Sequence, residues 1–341
     1  MRRREFMTLP GALGALSATP DFAAEQRWKR LGQVLHARSG DVWDRLVSAP
    51  HVVRVGDTLR MYFDGWQPWG EQFRRRIGLA EASVADPLAW SRVQDNPVLD
   101  LGPAGSIDSE WASYPWVVPI SESHWHMYYA GWGGKFHAAV PRRKIWWTAL
   151  AESDDAGRTW RRTGRALLDL GRKGACDEHG TGSCAVIKMG DEYWMYYTAI
   201  SSPTPDWFRI SVALAVSTDG GHSFRPHPAG ALINIPPEMG KPGSTSSKPF
   251  VERDGDRFRM WYSCSKDGHH YRIHYAESRD GIYFKWLPDP VLDVSATGWD
   301  SEMTCYPCVV HLGGRTLLFY DGNGYAGIGA AELEPHPGGR R

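Results

Sequence analysis

One phrase recurs five times along the chain, an apolar strand from a Pro-like anchor, a tight polar turn, then a second strand ending in aromatic residues. Its copies are SAPHVVRVGDTLRMYFDGW, SYPWVVPISESHWHMYYAGW, GSCAVIKMGDEYWMYYTAI, SKPFVERDGDRFRMWYSCS and CYPCVVHLGGRTLLFYDGN. The anchors Pro50, Pro115, Cys184, Pro249 and Pro307 stand roughly 60–70 residues apart, a spacing that suits repeat units of about four strands. Each copy runs on into a third strand and an Asp-Gly, Asp-Ala-Gly or Gly-Gly turn, as in IWWTALAESDDAGRTW and IHYAESRDGIYF. Such turns join antiparallel strands. A fourth strand follows, as in WSRVQDNPVLD and FKWLPDPVLD.

The fifth copy stops after its third strand, around Gly327 to Glu332. Its missing fourth strand lies at the other end of the chain, because WKRLGQVLHARSGDVWD at 28–44 copies FKWLPDPVLDVSATGWD at 284–300. The expected fold is therefore all-β, a five-bladed β-propeller whose N-terminal strand completes the last blade and removes open sheet edges. One domain spanning 26–335 follows, with a tail at 336–341.

Residues 1–24 differ from the rest. Arg2, Arg3 and Arg4 precede a small-residue, weakly apolar stretch, the pattern of a twin-arginine export leader, which predicts a periplasmic or secreted protein. Without that role for the leader the protein stays cytoplasmic. The 39 Lys and Arg balance 39 Asp and Glu, so there is no electrostatic case for a nucleic-acid partner. No apolar run reaches the ~18 residues of a membrane-spanning helix. The five cysteines, Cys176, Cys184, Cys264, Cys305 and Cys308, are too few and too scattered for a disulfide scaffold.

Strands of Met, Tyr, Trp and Val pack blade against blade, so chemistry is expected in the loops. Loops leading into the first strands, and those joining second to third strands, share one face and converge on the axis. The leading loops carry acids: Asp44, Asp108 with Glu110, Asp177 with Glu178, and Asp300 with Glu302. Asp108 and Asp300 stand where turn-capping aspartates stand, whereas Glu110 and Glu302, five residues before a proline, are free to reach the axis. The second-to-third loops add Asp64, Trp66, Trp69, Trp132, Lys135, Trp207, Lys266, Asp267, His269, His270, Asp321, Asn323 and Tyr325. Acids beside Trp and Tyr faces suit a sugar, whose rings stack on aromatics while carboxylates hold hydroxyls or move protons.

The repeats GWDSEMTCYPCVV, FRMWYSCSKDGHHYRIHYAESRDG and LLFYDGNGYAGIGAAEL resemble the five-bladed propeller superfamily of glycoside hydrolase families 43, 32 and 68, which includes β-fructosidases and arabinanases. They also resemble a less characterised branch of that superfamily associated with glycan biosynthesis loci. The resemblance spans the chain after the leader and implies a carbohydrate substrate. The acid that family 43 places beside the first-strand proline is replaced here by Ala49, Tyr114, Lys248 and Tyr306, so that family's catalytic trio does not carry over.

The leading expectation is a glycosidase in which Glu302 is the acid and Glu110 its partner, with Asp108, Asp300, Glu178 and Asp64 tuning them or holding hydroxyls. Trp66, Trp132, Asp321, Asn323 and Tyr325 are expected to bind sugar. The basic set Lys248, Lys266, His269, His270 and Arg272 supports a second reading, a phosphorylase or group transferase. A noncatalytic glycan-binding propeller is the third. No cofactor is expected and no metal ligand is assigned; His179 in CDEHGTGS is open to ligating a central ion, but a lone His without a ligand set is more often an ordinary hydrogen-bonding residue.

Overall fold

The computed structural model describes residues 26–137, 140–204, 207–233, 244–266 and 270–335, without the side chains of 135–137, 140–143, 202–204 and 207–208. The leader at 1–24, the tail at 336–341, Asp267 and His269 lie outside the described residues, as do the side chains of Lys135 and Trp207. The described chain is all-β. Among its residues there is no α-helix, only a short 3-10 turn at Asn323–Tyr325, and no helix long and apolar enough to cross a membrane.

Strand β1 (Trp28–His36) comes first. Then β2 (Leu46–Val55), β3 (Thr58–Trp69), β4 (Gln72–Ser83) and the short β5 (Ser91–Arg92) pair antiparallel in that order. The same meander repeats in β6 (Trp111–Pro119), β7 (Trp125–His137), β8 (Val140–Ser153) and β9 (Arg161–Ala166), and in β10 (Gly180–Met189), β11 (Glu192–Thr204), β12 (Trp207–Ser217) and β13 (Arg225–Ile233). It recurs in β14 (Thr245–Asp254), β15 (Arg257–Ser265), β16 (Arg272–Ser278) and β17 (Lys285–Trp286). Last come β18 (Cys305–Leu312), β19 (Arg315–Asp321) and β20 (Gly327–Leu333), and β1 pairs antiparallel with β20, Trp28 opposite Leu333 and His36 opposite Gly327. Single parallel bridges link successive units, Arg75 with Trp111, Trp146 with Gly180 and Ile210 with Thr245.

The second strands bury consecutive rather than alternate residues: Met61, Tyr62 and Phe63 in β3, Met195, Tyr196 and Tyr197 in β11. A strand covered on both faces needs apolar side chains on both, which explains the unbroken Met-Tyr-aromatic runs. Across the gap between units, Tyr62 donates to the Gly157 carbonyl and Tyr196 to the Gly281 carbonyl. Two further copies of one device repeat at the level of packing. Trp43 lies against Gly65 and Gly78, Trp299 against Gly322 and Gly329, and a Cβ at any of the four would collide with the indole.

The first strands share a distortion. Ala49, Tyr114, Lys248 and Tyr306, each directly before a proline, have φ of 52°, 56°, 47° and 54°. Bulky residues rarely adopt this left-handed conformation, and where they do the surroundings impose it. Here a bulge at each anchor breaks the ladder to the second strand, and the rotated pre-proline amide is sent sideways to a neighbouring unit. All five cysteines are free thiols, and all but Cys176 are buried.

Candidate functional site

The sideways amides assemble the centre of the molecule. Tyr114 N–H donates to Asp64 Oδ1 at 2.7 Å, Ala49 N–H to Asp321 Oδ2 at 2.9 Å, Lys248 N–H to Thr198 Oγ1 at 3.1 Å, and Tyr306 N–H to Ser263 Oγ at 2.8 Å. Asp64 and Asp321 hold matching register positions, opposite Ser48 and Cys305, and Ala130 and Ser263 hold the corresponding positions opposite Ser113 and Ser247. Two of these second strands thus carry a carboxyl where others carry a small or hydroxylated residue.

Both carboxyls are fully buried and poorly served. Asp64 Oδ2 has no hydrogen-bond partner, and neither has Lys248 Nζ. Burial pushes the Asp64 carboxyl up to about 8, against the opposing pull of Arg75, the Tyr114 amide and Lys248. Burial also drives Asp321 well above the carboxylate range, and charge on Asp64 adds to the rise. The same burial lowers Lys248. Nearby His51, whose Nε2 bonds the Val117 carbonyl, is pushed down to about 3 by burial and by Lys248, so it stays neutral.

Beside this centre opens a cavity of about 370 Å³. Trp111, Trp132 and Trp146 build one wall: Trp111 stacks on Trp132 at 4.6 Å and meets Trp146 edge-on at 4.9 Å. Tyr114, Tyr271 and Tyr306 close the inner side, Ser183, Thr198 and Ser247 contribute hydroxyls, and Lys144 and Lys248 are its cations. The wall is braced from behind by Arg75, whose guanidinium lies 3.5 Å from the Trp66 ring centre and 3.8 Å from that of Trp111, and donates to Tyr114 Oη at 3.0 Å. From Tyr114 a hydroxyl chain continues to Tyr306 at 3.2 Å and Tyr325 at 3.3 Å.

The sequence-derived residues separate into groups. Lys248 and Trp132 line the cavity, and Glu110 is ion-paired with the lining Lys144. Asp64 and Asp321 sit at the centre behind the pre-proline residues. Trp66 is buried, packed on Tyr325 and donating to Ser48 Oγ, so both aromatics support the wall rather than line it. Glu302 is exposed, its amide held by Asn323 Oδ1 and its carbonyl by Arg272. Asn323 also donates to Gly298 O and Ser301 Oγ and so ties that loop. Lys266 and His270 are exposed. Glu178 pairs with His179 at 3.1 Å and accepts from the Gly174 amide.

The leading-loop aspartates act inside their own units. Asp108 accepts from Tyr129, Arg162 and Ser106, and Asp300 from Tyr320, Arg30 and Ser295. Asp44 pairs with Arg38 and Arg92, and Asp177 accepts from Tyr197. Each folds its loop back over a unit; the partners are second-strand tyrosines, outer-strand arginines and loop side chains (Ser106, Ser295 and Arg38), rather than the loop backbone expected for turn caps. The cavity residues Trp111, Trp146, Tyr271 and Lys144, and Arg75 behind them, were not singled out from sequence. The adjacency of Trp111 to Glu110 was the available signal.

No protein-family model matches the chain. Among curated proteins it is 30% identical over 317 residues to the uncharacterized protein Rv1502 of Mycobacterium tuberculosis strain H37Rv, covering 90% of this chain and 99% of that one. The chain belongs to the family of that protein. The uncharacterized protein MT1551 of Mycobacterium tuberculosis strain CDC 1551 matches with the same identity and coverage. Among solved structures, that of a BT0996 RGII complex is similar with a TM-score of 0.73 and 18% identity, over 92% of this chain and 94% of that one. A structure from the GH130 family of mannoside phosphorylases, said to contain glycoside hydrolases that target β-1,2 mannosidic linkages in Candida mannan, gives 0.70 at 16%, over 93% and 96%. A thermostable family-43 glycoside hydrolase gives 0.64 at 15%, over 86% and 91%. At these identities the likeness establishes a shared fold.

Proposed function

We propose that the chain is a five-bladed propeller closed by β1, and that it is a carbohydrate-active enzyme cleaving a glycosidic bond in the cavity beside the axis. The observation that carries this reading is the composition of the cavity wall: three indoles, three phenols, three hydroxyls and two lysines around about 370 Å³. Flat apolar rings with a few converging polar groups suit a pyranose or furanose. The two lysines favour a sugar with a negatively charged substituent. Closure by β1 is supported by Arg30, which reaches Asp300 from β1 as Arg92 reaches Asp44 from β5 and Arg162 reaches Asp108 from β9.

In this reading Asp64 replaces Glu302 as the proton donor. Burial keeps its carboxyl protonated at neutral pH, as a general acid requires, and it stands directly behind the Tyr114 wall. A water, admitted where Tyr114 moves aside, would carry the proton from Asp64 to the glycosidic oxygen as the bond to the anomeric carbon breaks. Glu110, held by Lys144, then accepts the proton of the attacking water. The leader at 1–24 supports export of the enzyme.

Phosphorolysis is the second reading, favoured by Lys144 and Lys248 in the lining, since a phosphate replacing water needs cations beside the anomeric carbon. Aryl glycosides of neutral and uronic sugars, offered with and without inorganic phosphate, separate the two. Turnover independent of phosphate supports hydrolysis, and strict phosphate dependence supports phosphorolysis. In either case Asp64→Asn should lower turnover of an unactivated substrate by about 100-fold or more. Glycan binding with no turnover of any substrate would leave only the noncatalytic reading.

A further inference from the structure

The geometry points to a divalent-metal site, suited to zinc, at the opposite ends of the strands from the cavity, with His124, His126 and Glu152 as its protein ligands. One donor atom from each lies within 4.8 Å of the other two. His124 precedes β7, His126 is its second residue, and Glu152 faces His126 across the β7–β8 ladder. Residues two apart on a strand project to the same side, so His-x-His followed by a cross-strand Glu gathers three donors without any loop.

The ring orientations are those of ligands. His124 Nδ1 is 2.8 Å from Asp154 Oδ1 and His126 Nδ1 is 3.3 Å from the Tyr128 hydroxyl, which leaves both Nε2 atoms facing each other at 3.3 Å. Two nitrogens bound at ~2.0–2.1 Å in a tetrahedron stand about 3.4 Å apart. A carboxylate on the far nitrogen of a ligating His is the usual orienting partner. Glu152 gives Oε2 to Arg161, leaving Oε1, which lies 3.6 Å from His222 Nδ1. His222 comes from the segment joining β12 and β13, and its ring centre is 5.0 Å from that of His126. The fourth coordination position therefore faces either His222 or solvent, and a metal with His222 would clamp two neighbouring units together. His126 is buried while His124 and His222 are partly exposed, which leaves a route from solvent.

The repeat itself supplies the contrast. At the matching cross-strand position the first unit pairs Arg60 with Glu81 at 2.9 Å, and the fourth sets Arg259 opposite Glu277. Those positions carry arginine, which cannot ligate a metal because it keeps its proton. The second unit retains the acid, replaces arginine with His126 and adds His124, and the third unit brings His222 beside them. Two imidazoles with a carboxylate match the preference of zinc over calcium or magnesium.

The test uses untagged full-length protein stripped with a chelator and then titrated with zinc chloride by calorimetry, and with cobalt(II) by visible absorption. One zinc per chain, a raised melting temperature and the intense visible bands of tetrahedral cobalt are expected. His124→Gln and Glu152→Gln should each weaken zinc binding at least ~10-fold while near-ultraviolet dichroism stays native. His179→Gln should leave binding unchanged. His124→Gln, at the exposed rim, keeps the test decisive if a His126 variant does not fold. Absence of both heat and cobalt bands in the folded wild type would overturn the site, as would undiminished zinc affinity in the folded His124→Gln/Glu152→Gln double variant.

Discussion

Asp300 and Asp64 are both buried aspartates on the cavity side of the strands, and their surroundings drive them in opposite directions. Asp300 is also penalised by burial, but hydrogen bonds from Ser295, Arg30 and Tyr320 outweigh it and hold the carboxyl below its ordinary range. Asp64 receives one backbone amide on Oδ1 and nothing on Oδ2, and burial wins. The first is an acid the fold uses; the second is one the fold tolerates at a cost in stability. Unpaired buried polar groups of this kind concentrate at functional centres, where perturbed protonation is the purpose.

Removing the satisfied acid should have the largest effect. Asp300→Ala strands Arg30 on β1 and Tyr320 in the core, and should lower unfolding free energy by about 3 kcal/mol, near the low end for a broken buried pair because Arg30 is partly exposed. Denaturant unfolding measures this; a loss below about 0.5 kcal/mol would show that β1 is not held through Asp300.

The two acids should also carry opposite pH signatures. A carboxyl with a lowered folded pKa stabilises above the ordinary carboxylate range, and that contribution is lost as pH falls through the folded value. A carboxyl raised to about 8 does the reverse: the folded state holds the proton longer, so stability declines as pH rises from the ordinary range through about 8. Urea midpoints between pH 5 and 9 should therefore fall less in Asp64→Asn than in wild type, while Asp300→Asn should keep the wild-type slope there. Equal slopes in wild type and Asp64→Asn would break the contrast.

The smallest effect belongs to the cavity wall. Trp132→Ala should weaken sugar binding by about 1 kcal/mol and leave the melting temperature close to wild type, because the ring is partly exposed and Trp111 remains. Trp66→Ala, which removes a buried ring under Arg75, should instead lower stability.

The repeat made the strands legible from sequence, and the copied segment at 28–44 signalled that β1 would pair with β20. Asp64, Asp321, Lys248 and Trp132 were legible as well, the first two and Trp132 as residues expected in second-to-third loops and Lys248 as the residue before a proline, although the strands run on further than the pattern implies and hold Asp64, Trp132 and Asp321 within β3, β7 and β19. The pre-proline residues were noticed as substitutions, but nothing local indicated that Tyr114 and Lys248 would turn into the left-handed region and face a cavity. Lys144 and Trp146 were hidden inside a third strand that reads as packing. Glu302 read as a free acid because sequence shows the loop but not that Asn323 and Arg272 hold its backbone and leave the side chain in solvent. The His124, His126 and Glu152 cluster needs a cross-strand register and a neighbouring unit, neither of which the His-x-His spacing supplies alone.

The claim that Asp64 stays protonated at neutral pH is tested most directly by titrating aspartate side-chain carbons by carbon-13 NMR, comparing wild type with Asp64→Asn. The Asp64 resonance, recognised by its absence from the variant, should retain its protonated shift at pH 7 and move with a midpoint near 8. If every aspartate of the wild type has finished titrating by about pH 5, Asp64 is an ordinary carboxylate and the contrast with Asp300 fails.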